Sequence, residues 1–129
     1  MKCEMTAKVP LNPTEDLDKV IKALSNIFDY DELEIGDDYV SISGKRESLI
    51  KLKELLEQRR IRNTARKILS VGAHDRVIFF RLNKQAALAG VVNFAEAGIS
   101  PLGEIKVKIE TDDVNVVIDW VAPLQTSSP

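Results

Sequence analysis

Two stretches of strict alternation limit what this chain can fold into. In KCEMTAKVP, Cys3, Met5, Ala7 and Val9 fall on one side, and Lys2, Glu4, Thr6 and Lys8 on the other. In GEIKVKIET, Ile105, Val107 and Ile109 alternate with Lys106, Lys108 and Glu110. A period of two marks a strand with one buried face. Such a strand needs a partner layer, and helical segments supply it. Leu17, Val20, Ile21, Leu24 and Ile27 recur at helical spacing. Thr14 is the expected N-cap, with Glu15, Asp16 and Asp18 in a first turn that suits acids. Phe28 then plugs the core. ELEIGDDYVSISGK reads as a hairpin turning at Gly36-Asp37-Asp38.

From residue 45 the pattern is helical again. Leu49, Leu52, Leu55 and Leu56 make an apolar face, which resumes, rotated, at Ile61, Ala65, Ile68 and Leu69. The rotation predicts two helices, or a kink, with the break near 58–60. Val71-Gly72 ends the second, and Ala73-His74-Asp75 is a loop. RVIFFRLN is rich in β-branched and aromatic residues, and its near-continuous apolar run predicts a central strand. Asn83 caps a short helix, KQAALAG, ended by Gly90. VVNFAEAG is the next strand, followed by a loop over Ile99-Ser100-Pro101. Asp112 or Asp113 caps a last helix with Val114, Val117, Ile118 and Val121 inward and Trp120 in the core. The expected class is α+β: a two-layer arrangement with a mixed, mainly antiparallel sheet and helices packed against it. Its element order is β-α-β-β-α(α)-β-α-β-β-α. Residues 1–123 form one domain, and 124–129 a polar tail that frays.

Composition narrows the function classes. At 129 residues and 44% hydrophobic the chain can bury one proper core. Its single cysteine, Cys3, excludes an intramolecular disulfide and a cysteine-based zinc cluster. No apolar run approaches the ~20 residues of a membrane span, and MKCEMTAKVP lacks the apolar block of a secretory signal. A cytoplasmic protein is expected. There is no phosphate-binding glycine loop, nucleophile elbow or dinucleotide fingerprint. His74 is the only histidine and has no ligand set around it. No cofactor and no enzyme activity are expected.

Charge is unevenly spread. The net charge is −2, so a protein that coats nucleic acid by bulk charge is excluded and any polyanion site must be local. Residues 45–67 carry nine basic and three acidic side chains, a net of +6, whereas residues 1–44 carry four and ten, a net of −6. On a helix, Arg59, Arg62 and Arg66 stack on one side, with Asn63 beside them and Lys67 further round. Guanidinium groups take phosphate bidentately. Arg59, Arg60, Arg62, Asn63, Arg66 and Lys67 therefore form the candidate nucleic-acid surface; the bland alternative is a solvated face paired with the acidic front. No stacking platform of exposed aromatics accompanies them, which favours recognition of shape and backbone. LNKQAA adds Lys84 and Gln85 at a strand-to-helix turn, a common place for a binding loop; the alternative is a plain N-cap.

PTED at 13–16, RNTAR at 62–66, LNKQAA at 82–87 with Gly90 and Asn93-Phe94, and IDWVAP at 118–123 resemble, in order, an uncharacterised archaeal family. That family is described as predicted RNA-binding, with a fold similar to a double-stranded-RNA-binding domain or to a large-subunit ribosomal protein. The resemblance implies an archaeal cytoplasmic protein and points its function toward RNA; with the basic helical surface, the expected partner is structured RNA. The competing expectation is an assembly module that forms a homodimer, or a larger homo-oligomer, through its acidic front and basic middle or an exposed strand.

Overall fold

The computed structural model of the chain describes residues 1–95 and 103–124. Every expected alternating strand folds as such. β1 (Cys3–Pro10) and β6 (Glu104–Thr111) lie side by side at the centre of a six-stranded sheet of order β2-β3-β1-β6-β5-β4. All described pairings are antiparallel. The hairpin is β2 (Glu32–Ile35) and β3 (Tyr39–Lys45), and β4 (Ala73–His74) pairs with β5 (Val77–Asn83) at the other edge.

One face of this sheet is built from Cys3, Met5, Ala7 and Val9, Val40 and Ile42, Ile78, Phe80 and Leu82, and Ile105, Val107 and Ile109, all buried. The helices cover that face. α1 (Leu17–Ile27) contributes Val20, Ala23, Leu24 and Ile27, and Phe28 plugs the core as expected. Leu52 and Leu56 come from α2 (Ile50–Gln58), which follows a short 3-10 turn, and Ala65 and Leu69 from α3 (Arg62–Val71). The five-residue α4 (Lys84–Leu88) and α5 (Val114–Val121) complete the layer. One hydrophobic core therefore lies between sheet and helices, and no described helix lies over the other face. Among the described residues no helix is long and apolar enough to cross a membrane.

Several expectations need correction. α1 is capped by Asp16, which accepts from the Asp18 N–H at 2.9 Å, and not by Thr14. Glu15 lies ahead of the helix because its carboxylate is drawn to Lys84. Ala73-His74 is a short strand rather than a loop. β5 is one strand in from the edge, not central. Its apolar run is misleading because Phe79 points away from the core. The expected strand over 91–98 is, within the described residues, a single Leu82–Phe94 bridge, with Phe94 edge-on to Phe80. Its last residues, the 99–101 loop and the tail from 125 lie outside the described residues. Trp120 packs against the core but is only half-buried. The caps at Asn83 and Asp113 form as expected.

Candidate nucleic-acid interface

The basic middle does not form one arginine stripe. The two-helix reading holds: α2 ends at Gln58, Arg60 takes a left-handed φ of 57°, and α3 starts at Arg62. Arg59 caps α2 and is thereby out of line with Arg62 and Arg66. Arg66 is turned inward: its Nη2 lies 2.5 Å from the Asp119 carboxylate on α5, and its Nη1 donates to the Ala122 carbonyl at 3.3 Å. Arg62 is half-buried, with an enclosed Nε that has no partner among the described residues. Arg59 and Arg60 stay exposed at the α2–α3 turn, and Asn63 and Lys67 stay exposed on α3.

Lys84 is also withdrawn from solvent. It is 4% exposed and donates at 2.6 Å both to the Pro10 carbonyl and to Glu15. The same carboxylate accepts from the Asn12 backbone and side-chain nitrogens. Burial alone would raise the Glu15 pKa; the hydrogen bonds from Lys84 and Asn12, with the Lys84 charge, outweigh it and hold the carboxyl below its ordinary value. The strand-to-helix turn is thus a latch fastening β1 and the approach to α1. Gln85 is exposed beside it, at the rim of an α1–α4 groove that neither Arg62 nor Arg66 lines.

The uncovered face of the sheet carries a different set. Because pairing partners share a face, the register reads directly as rows across the strands. Lys8 lies opposite Lys106, and Lys106 opposite Arg81. One row over, Thr6 lies opposite Lys108, and Lys108 opposite Phe79. With strands about 4.8 Å apart, three cations span two strand spacings. Lys8, Arg81 and Lys106 are exposed, and among the described residues none is in an ion pair. Lys8 rests 4.3 Å over the Tyr39 ring. The Tyr39 hydroxyl bonds the Glu34 carboxylate, and that bond raises its pKa. Lys108 pairs with Glu110 at 3.0 Å on the surface. Phe79, on β5, is 54% exposed on this face. Together Thr6, Lys8, Phe79, Arg81, Lys106 and Lys108 line a shallow groove of about 460 Å³.

This arrangement works against the fold. Like charges directly opposite in a sheet destabilise it, and a half-exposed phenylalanine gives up part of the ~1.5–3 kcal/mol that full burial supplies. Violations of this kind concentrate where a surface has a task. Lys8, Lys106 and Lys108 were legible as outward positions of alternating strands; Phe79 was hidden inside an apolar run. Other chemistry is sparse. Cys3 is buried, which pushes its thiol pKa up. His74 is exposed, 3.8 Å from Asp75, and the described residues hold no group of three His, Cys, Asp or Glu placed to bind a metal.

Comparison with known proteins speaks to the family of the chain. A family model described as RNA binding matches residues 4–111. A UPF0201 protein of Methanothermobacter thermautotrophicus is 47% identical over 120 residues, covering 93% of this chain and 91% of that one. A UPF0201 protein from Methanococcus jannaschii, solved at 2.2 Å, is 39% identical, with a TM-score of 0.82 over 96% of each chain. Another crystal structure of a UPF0201 protein is 32% identical, with a TM-score of 0.85 over 98% of each.

Proposed function

The chain belongs to the UPF0201 family, and from that premise we propose that it binds RNA through the uncovered face of its sheet. One observation carries the reading: Lys8, Lys106 and Arg81 form a cationic row, without ion pairs among the described residues, on a face that no described helix covers. A row of like charges is unfavourable alone and favourable under a polyanion. Lys106 and Arg81 contact phosphates, Lys8 does so from its seat on Tyr39, and Lys108 is recruited from its surface pair with Glu110. Phosphate contacts set affinity and register on the nucleic acid without reading sequence.

The α2–α3 turn and the helix after it are the rival surface, with Arg59 and Arg60 exposed at the turn and Asn63 and Lys67 on α3. Binding of structured and unstructured RNA across a salt series separates the two. Four sheet contacts give a log–log slope of roughly −3 on single strands and about −4 on duplex. A Lys8/Arg81/Lys106 triple glutamine variant loses this binding, and an Arg59/Arg60/Lys67 variant retains it. The reverse pattern moves the site to the turn. A salt-independent response in the unaltered protein rejects phosphate recognition.

A further inference from the structure

The sheet face holds more than charge. Phe79 stands 54% exposed, directly opposite Lys108 and two residues from Arg81 on its own strand. It lines the groove with Thr6, Lys8 and Lys106. An aromatic ring beside Lys108 and Arg81 offers two interactions at once, a flat apolar surface for a base and positive charge for neighbouring phosphates. A base pair inside an A-form duplex cannot use the ring, since its faces are already stacked on neighbours and the groove edges face outward. An unpaired base can. We propose that Phe79 is a stacking platform for an unpaired nucleobase, and that the ligand class of this face is single-stranded or looped RNA rather than continuous duplex.

This rests on the reading that the sheet face binds RNA, and goes beyond it in naming which RNA. It also reverses the expectation of shape-only recognition. That expectation followed from the apparent lack of an exposed aromatic, and Phe79 supplies one. Tyr39 does not compete for the role: its ring is occupied by the Lys8 ammonium and its hydroxyl by Glu34.

The experiment uses the full chain, an unstructured mixed-sequence RNA strand and a blunt RNA duplex of equal length. The unaltered protein binds the strand more tightly than the duplex. Phe79→Leu keeps apolar bulk but removes the π-face; it weakens strand binding roughly five- to a hundredfold, leaves duplex binding within about twofold, and preserves the salt slope of about −3. Phe79→Tyr restores strand binding. Phe79→Trp adds a reporter whose fluorescence is quenched by the strand and not by the duplex. An unchanged strand-to-duplex ratio in Phe79→Leu overturns the stacking role while leaving RNA binding in place. Failure of the unaltered chain to bind either RNA overturns both. Sedimentation without RNA completes the test: an oligomer that Phe79→Leu dissociates makes the ring an interface between copies and also overturns the proposal.

Discussion

Replacing Lys106 by glutamine should stabilise the protein and weaken its RNA binding together. Lys106 has Lys8 directly opposite on one side and Arg81 on the other. Each like-charged cross-strand pair is unfavourable by roughly 0.2–1 kcal/mol. Coulomb's law agrees: two unit charges about 6 Å apart in water repel by about 0.7 kcal/mol. Removing the central charge relieves both pairs at once, so the gain at low ionic strength is about 0.5–1.5 kcal/mol, less a little for the packed lysine stem. For a chain of this size that is a rise of roughly 2–6 °C in melting temperature. The repelling groups are exposed, so the gain should shrink as the Debye length falls from ~30 Å at 0.01 M to ~3 Å at 1 M salt. Urea denaturation at both salt levels measures it, guanidinium being itself a salt. The same variant, titrated with single-stranded RNA, should show a slope shallower by about 0.7. A stability gain that ignores salt, or no gain, would refute the repulsive row. A salt-sensitive gain with an unchanged RNA slope would detach the row from function.

Three further outcomes follow from the same coordinates. Lys84→Met leaves Glu15 enclosed without its cation, so stability should fall by about 3–5 kcal/mol in urea titration, and adding Glu15→Leu should recover much of it. Because the folded Glu15 pKa is lowered, its contribution is complete above the ordinary carboxyl range and fades as pH drops through the folded value; the double variant should lose less stability on acidification. Arg66→Ala breaks the contacts to Asp119 and Ala122 and should lower stability by about 1–2 kcal/mol while leaving RNA affinity within about twofold; a large affinity loss would return Arg66 to the interface. At the sheet edge, β2 exposes Leu33 at 40% and Ile35 at 51%. Any self-association seen by sedimentation should vanish in Leu33→Lys/Ile35→Lys, and should strengthen with salt, because two-fold pairing of β2 sets Glu32 and Glu34 near their own copies.

What could be read from the chain in advance depended on the range over which each feature is decided. β1 and β6 are legible because alternation is local and one face of each is buried along its whole length. The α2–α3 break is legible because the apolar face rotates between Leu56 and Ile61, leaving one straight helix unable to bury both halves. Phe79 and Phe80 are adjacent and equally apolar, so nothing local says which of them faces water; that is settled by the register with β6. Lys84 looked like a binding-loop lysine because its partner, Glu15, is distant in sequence, brought there by the chain's approach to α1. Arg66 was misplaced for the same reason, since Asp119 arrives from the last helix. Leu33 and Ile35 share the face of Val40 and Ile42, but the helix layer does not reach the edge to cover them.

The contrast between the two basic surfaces has a physical cause. A run of charge along a sequence is diluted by folding, because a helix turns successive side chains to different sides and packing hands some of them partners. A row of charge across strands is assembled by folding. Lys8, Arg81 and Lys106 come from three separate segments, one of them in the acidic front, and only the antiparallel register makes them neighbours. The same register fixes where a polyanion can lie. Four residues along from Lys8 and Lys106, past the Thr6–Lys108 row, Glu4 faces Glu110, an acidic pair, and beyond Ser41 the cationic row ends at Glu34 on β2. A phosphate chain following β1 or β6 lengthwise would meet Glu4 and Glu110. One crossing the strands from Lys8 through Lys106 to Arg81 meets cations throughout, with Phe79 in the neighbouring row to receive a base. The backbone of a bound strand should therefore run perpendicular to the β-strands. Glu4→Lys/Glu110→Lys should open the lengthwise route, raising affinity and steepening the salt slope by about 1.4 for two added contacts. An unchanged slope in that variant would place the phosphates elsewhere.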